Sequence, residues 1–428
     1  MTKKFAVFIS VILLFEPQAA FAYLDPGTGS MLLSVVVGLV SSAYFLARRL
    51  PSLIRAFFYK LSGKKDDLKT SGIVFYSERA SYWSTFEPVL RALETKGEPV
   101  TYLTSDQNDP VFKAGLKNVT ATFVGQGQTA YTALGFVQAD IFCLTTPGID
   151  VLQIRRSAGV KRYVHIVHAI GDIHTYKLYS FDYYNAVFCA GRGQVKSLRA
   201  LESIRGTRPK DLPLLGCPYL DRLVARHKAE PREPSADTIL VAPTWGKNSL
   251  LTRLGASVVI ELAKAGYHVI LRPHPQSFVS DAEVMEGVLR DIEPYSLIEL
   301  DRNPDGFESM SRAALMISDI SGIMFDFAFV FLRPVISLGD GPVKDGFEAW
   351  DIPHEAWEDS ILNTIGCRLP VGEEKAILQT VRDLLEKDRL VSQEIQKVRD
   401  IEVANFGAAG IPIAEALLKM KAEILTDA

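Results

Sequence analysis

From about residue 71 onward, short apolar runs rich in β-branched residues alternate with longer amphipathic stretches. The spacing predicts strands at 72–76, 99–103, 121–124, 140–145 and 162–168. After a break it predicts more at 238–242, 268–271, 297–300, 314–318 and 334–337. Helices are expected around 86–93, 130–137, 150–155, 250–265, 281–292 and 323–330, with a helical tail after Glu373. Strands that are apolar throughout and alternate with helices predict parallel sheets covered on both faces. The polar, proline-rich stretch 227–236 is the expected linker. The fold class is therefore α/β, with two Rossmann-like domains facing a cleft and an N-terminal membrane segment. The expected units are 1–67, 68–230 and 231–428. Ligands of such sheets bind outside the carboxyl ends of the strands.

The first 67 residues have a different pattern. Lys3 and Lys4 precede an apolar stretch from Phe5 to Phe15, and Ala20-Phe21-Ala22 follows in the manner of a signal cleavage site. A second charge-free apolar run, 31–47, ends in Arg48-Arg49 and is close to the length of a membrane span. Residues 1–65 carry eight basic and two acidic side chains, +6, whereas the rest carries 39 basic and 48 acidic, −9. The cationic cluster after the second run predicts an inner-membrane protein with its soluble domains in the cytoplasm.

Composition narrows the chemistry. Hydrophobic residues are 48% and charged ones 23%, which excludes a disordered or fibrous chain. The net charge of −3 argues against a nucleic-acid partner held by bulk positive charge. Cys143, Cys189, Cys217 and Cys367 are widely spaced, so neither a disulfide framework nor a cysteine zinc site is expected. No GxGxxG follows a predicted strand and no GxxxxGK[ST] occurs, which disfavours a nicotinamide dehydrogenase and a Walker-type ATPase.

Three loops put polar or cationic groups just after a strand. In the first, 164–177, three of the seven histidines fall within ten residues: His165, His168 and His174. His168, at the strand end, is expected to face the cleft, with Lys177 nearby, and a histidine titrating near neutrality can take a proton from an attacking hydroxyl. The second is Arg272-Pro273-His274-Pro275, where a planar guanidinium and an imidazole suit phosphate oxygens. The third runs Ser318-Asp319-Ile320-Ser321-Gly322 into an apolar helix containing Asp326. Unpaired first-turn amides there, at Ser321 and Gly322, suit a diphosphate, while Asp319 or Ser321 can equally be a helix cap. Thr244, in the loop after the 238–242 strand, completes the candidate cleft set. No carboxylate cluster of metal-binding pattern stands out, and neither metal nor cofactor is expected.

These residues resemble the CDP-glycerol glycerophosphotransferase family, the polymerases and primases of teichoic-acid-type polymers. The segments that carry the resemblance are Val167-His168-Ala169 with Lys177, Gly216-Cys217-Pro218-Tyr219-Leu220-Asp221, Ala242-Pro243-Thr244-Trp245, Arg272-Pro273-His274-Pro275, and Asp319-Ile320-Ser321-Gly322 followed by Phe325-Asp326. They span roughly residues 160–340. Ala169, Tyr219 and Gly322 depart from the family's glycine, arginine and serine. The resemblance implies a glycosyltransferase-B-type fold, with His168 as base and His274 and Ser321 on the donor phosphates. It also implies a CDP-glycerol or related nucleotide-activated donor and a membrane-bound polysaccharide or lipid-linked acceptor. The alternatives are a sugar-nucleotide glycosyltransferase or epimerase, and a non-catalytic envelope-assembly protein.

Overall fold

The computed structural model describes residues 35, 37, 38 and 72–426, apart from 304, 340, 342 and 343. The expected signal and anchor segment, 1–67, lies outside the described residues but for those three positions. Among the described residues no helix is long and apolar enough to cross a membrane.

Six strands form the first sheet: β1 (Ile73–Ser77), β2 (Val100–Thr104), β3 (Val119–Phe123), β4 (Gln138–Leu144), β5 (Gly159–Ile166) and β6 (Ala186–Phe188). Six more form the second: β7 (Ser235–Val241), β8 (His268–Leu271), β9 (Ile298–Leu300), β10 (Ala313–Ser318), β11 (Val335–Leu338) and β12 (Gly366–Leu369). Every pairing is parallel. The orders, β3-β2-β1-β4-β5-β6 and β12-β11-β10-β7-β8-β9, are the same doubly wound order traversed in opposite senses. The seven helices used below are α1 (Trp83–Thr95), α2 (Arg192–Arg205), α3 (Tyr219–Ala229), α4 (Ile323–Phe331), α5 (Trp357–Ile365), α6 (Asp388–Glu402) and α7 (Gly410–Thr426).

Each sheet has its own core. Ile73, Phe75, Phe86, Leu90 and Val164 pack in the first, and Ile239, Val241, Leu262, Leu271 and Ile317 in the second. The boundary expectation needs one correction. The tail was expected in the second domain, yet Ala409, Ile413, Ala414 and Leu417 bury their side chains in the first core. The chain returns because α7 has an apolar face that α1 covers. A Cβ at Gly410 would stand 2.7 Å from the Pro88 backbone, so only glycine allows that approach. Asp221 accepts hydrogen bonds from the Ala409 and Gly410 amides (2.9 and 2.7 Å), satisfying two donors at the start of α7. The Asp of the Gly216–Asp221 segment is thus an anchor for this returning helix.

Other differences have local causes. No helix forms at 150–155, because Asp150 sits at φ 60° after Gly148 (φ 72°), which turns the chain out of helical geometry. The 250–265 stretch breaks at Gly255 (φ 57°) into two helices, Leu250–Leu254 and Ser257–Lys264. The strand expected to reach His168 ends at Ile166. The linker shortens to 230–234, since α3 runs to Ala229 and β7 begins at Ser235. The four cysteines are free.

The two lobes meet through the β11–β12 connection, which reaches across to the first lobe. Lys177 pairs with Phe347 in an antiparallel bridge, the Glu348 amide donates to the Tyr176 carbonyl (2.7 Å), and the Ser180 amide donates to the Glu348 carboxylate (2.8 Å). Arg205, at the end of α2, binds Glu348, Asp351 and Asp182 together.

Candidate functional site

A cavity of about 350 Å³ opens between the lobes at the carboxyl ends of the strands. The first lobe contributes the loop after β5, from His168 to Tyr176. The second contributes the loop after β10 with the first turn of α4, Ser337 at the end of β11, part of α5, and Arg368 on β12.

His168 lines this cavity. Its ring meets Tyr82 and Tyr176 edge to face (centroids 5.3 and 6.2 Å), and its Nδ1 has no hydrogen-bond partner. Burial holds its pKa down to about 4, below the near-neutral value expected from sequence. The ring is therefore neutral at pH 7, with a lone pair available to a substrate hydroxyl.

His165 is fully buried inside a ring of aromatics (Tyr176, Phe181 and Tyr184), and neither ring nitrogen has a partner. Desolvation, then the neighbouring His168, lower its pKa to about 3. A depressed histidine pKa contributes stability above the unfolded value of about 6.5, and loses it as pH falls toward the folded value. Wild type is expected to lose about 2 kcal/mol of stability from this group between pH 7 and pH 5, and His165→Leu to flatten that loss in urea titrations. An unchanged slope would refute the assignment.

The second lobe corrects several expectations. Arg272 does not line the cavity. Its guanidinium is ion-paired with Asp301 (2.6 Å) and donates to the Asn303 carbonyl (2.7 Å). His274 is exposed, its ring 6.3 Å from that of Trp245, and its Nδ1 accepts from the Gln276 amide (3.1 Å). Arg272, His274 and Ser321 are thus not brought together on the cavity wall; Gly322, at the α4 N-terminus, is there.

Ser318 and Asp319 brace the backbone, and Asp319 also lines the cavity. The Ser318 hydroxyl donates to the Ala242 carbonyl (2.6 Å). The Asp319 carboxylate accepts from the amides of Thr244, Leu250 and Ile320 (2.9, 2.9 and 2.8 Å), so Thr244 enters the site through its backbone. This aspartate ties the loop after β7 to the loop after β10, on either side of the topological switch point. Lys177 is exposed and participates through its backbone bridge. Asp326 is half-buried, and its charge bears on Tyr219 and Cys217 of the first lobe. Burial raises its carboxyl to about 7.

Further charged groups line the cavity or stand close to it. Arg368 is ion-paired with Asp359. Glu358 accepts the Asp172 amide on both oxygens (2.9 Å each), and burial, then Asp172, push its pKa up to about 7. Asp172, His174 and His354 each bring a ligand atom within 4.8 Å of the others, the one such group among the described residues able to hold a metal ion.

Residues 194–339, about a third of the chain, match the family described as CDP-Glycerol:Poly(glycerophosphate) glycerophosphotransferase. That stretch runs from α2 to the end of β11 and contains Asp221, Thr244, Arg272, His274, Ser321 and Asp326, whereas His168 precedes it. Curated protein sequences give no match. Among solved structures, the Staphylococcus aureus MnaA–UDP complex is 14% identical, with 83% of this chain and 98% of that one covered and a TM-score of 0.56. A putative UDP-N-acetylglucosamine 2-epimerase from Listeria monocytogenes is 13% identical (82% and 96% covered, TM-score 0.56). The UDP-GlcNAc 2-epimerase of Neisseria meningitidis is 14% identical (82% and 100%, TM-score 0.52). At these identities the likeness establishes the two-lobed fold, with its parallel α/β sheets, as that of glycosyltransferase-B-like enzymes.

Proposed function

We propose that the protein transfers glycerol phosphate, or a related polyol phosphate, from a CDP-activated donor to a hydroxyl of a membrane-associated cell-envelope acceptor, releasing CMP. The observation that carries this reading is the family match at residues 194–339, which covers the second-lobe loops facing His168 across the cavity. The acceptor oxygen loses its proton to His168 and attacks the β-phosphorus, and the bond to the α–β bridging oxygen breaks as CMP leaves. Such displacements depend mainly on positioning and on stabilising the transferred charge.

The donor diphosphate is assigned to the N-terminal end of α4, whose N-cap residue Gly322 lines the cavity next to Ser321. Arg272 and His274 belong to the loop after β8, two strands from β10 in the sheet, and stand off the cavity wall. The charge pattern of residues 1–67 supports a body held at the cytoplasmic face of the inner membrane, close to a lipid-linked acceptor.

Thermal-shift titration with CDP-glycerol, UDP-GlcNAc and GDP-mannose tests the donor class. CDP-glycerol alone is expected to stabilise, by about 2.7 kcal/mol at 100 Kd. Stabilisation by a UDP-sugar instead would replace this reading with a sugar-nucleotide reaction, and stabilisation by none would favour a non-catalytic role.

A further inference from the structure

We propose that Asp172, His174 and His354 form a binding site for a divalent transition-metal cation of the zinc class, placed where the two lobes meet. Asp172 and His174 lie in the loop after β5 and His354 in the β11–β12 connection, so the cation would pin the His168 loop to the second lobe.

The geometry of the first pair carries the argument. Asp172 Oδ2 and His174 Nδ1 stand 3.5 Å apart, both residues are under 5% exposed, and neither atom has a hydrogen-bond partner. His174 Nε2 lies 2.9 Å from the His354 carbonyl, which only an N–H can satisfy. In the neutral ring the proton is therefore on Nε2, and Nδ1 presents a lone pair to a carboxylate oxygen. Two buried lone pairs facing each other repel unless a positive centre lies between them.

A tetrahedral zinc ion meets that need. Bonds of 2.0–2.2 Å to nitrogen and oxygen place two donors about 3.4 Å apart. Outer-shell support of the kind that orients metal ligands is also in place. The His354 carbonyl fixes the His174 tautomer, the Ile173 amide donates to Asp172 Oδ1 (2.7 Å), and Ser197 Oγ lies 3.1 Å from His354 Nε2. Two imidazoles and one carboxylate are borderline ligands suited to Zn²⁺ or Co²⁺ more than to Mg²⁺. Asp172 and His174 line the cavity, so the site is next to it.

The competing occupant is a proton shared by the Asp172–His174 pair, and a direct titration separates the two. Full-length protein in detergent, stripped with a chelator, is titrated with Zn²⁺ by calorimetry and with Co²⁺ by visible absorption. One equivalent and a tetrahedral Co²⁺ d–d spectrum are expected. His354→Ala is expected to weaken binding more than about 100-fold, beyond what loss of an outer-shell partner costs. His354→Cys, which keeps a donor, is expected to retain the equivalent and add a thiolate charge-transfer band. Absence of stoichiometric binding by wild type, or undiminished binding by a folded His354→Ala, overturns the proposal. The donor titration above reads a different event, so either reading can fail alone.

Discussion

His168→Ala is expected to lower CMP release from CDP-glycerol by about 10²–10⁴-fold, the range for loss of a positioned general base. The change should fall on kcat, with KM little altered, because the ring sits on the first-lobe wall opposite the donor loops. Stability should survive, since the residue is half-buried and its ring meets Tyr82 and Tyr176 edge to face, with no hydrogen bond at Nδ1 to lose. The pH profile adds a second readout. With the folded pKa near 4, the ring protonates and fails as a base only well below neutrality, so kcat/KM should hold down to about pH 5. A bound diphosphate brings negative charge toward the ring and favours the imidazolium, so the acidic limb of kcat should lie at higher pH than that of kcat/KM. Turnover by the variant within about tenfold of wild type would remove His168 from the reaction.

The parallel α/β architecture was legible because a strand buried on both faces must be apolar throughout; Ala313–Ser318 and His268–Leu271 announce themselves by that alone. The strands missed were β6 and β12, of three and four residues, each at the edge of its sheet, where little apolar sequence is needed, and helices α2, α3 and α5 were missed as well. The loop after β5 was also legible, since a polar run directly after a buried strand has few other places to go. What Arg272 touches was not. Its partners, Asp301 and Asn303, are some thirty residues downstream in the loop after β9, and no local pattern links them. Asp319 and Ser318 look like ligands in sequence and act as backbone staples in the fold, because a carboxylate beside three unpaired amides is satisfied before any substrate arrives. His354 and Glu358 were invisible for another reason. Their meaning comes from the crossing of the β11–β12 connection to the other lobe, a tertiary event that helical or strand periodicity does not encode.

That crossing depends on Arg205, and Arg205→Met is expected to destabilise the protein by about 3–5 kcal/mol, the cost of breaking a buried ion pair from one side. Its guanidinium, 8% exposed, reaches Asp182 and Asp351 at 2.8 Å each and is also paired with Glu348, whose side chain is fully buried. It also stacks over the Tyr179 ring at 4.6 Å. Burial already raises the Glu348 pKa against the pull of Arg205, and removing the cation raises it further. An acid whose folded pKa is raised loses stability as pH climbs through that value, so the deficit should grow from pH 5 to pH 8. Arg205→Met/Glu348→Gln separates charge from packing. Neutralising the stranded carboxylate should recover more than half of the loss and remove the added pH slope, since the amide oxygen can still accept from the Ser180 amide. Urea midpoints at the two pH values read both effects. A single variant within about 1 kcal/mol of wild type, or a double variant no better than the single, would show that the lobes are held by the Lys177–Phe347 and Tyr176–Glu348 backbone contacts without this cluster.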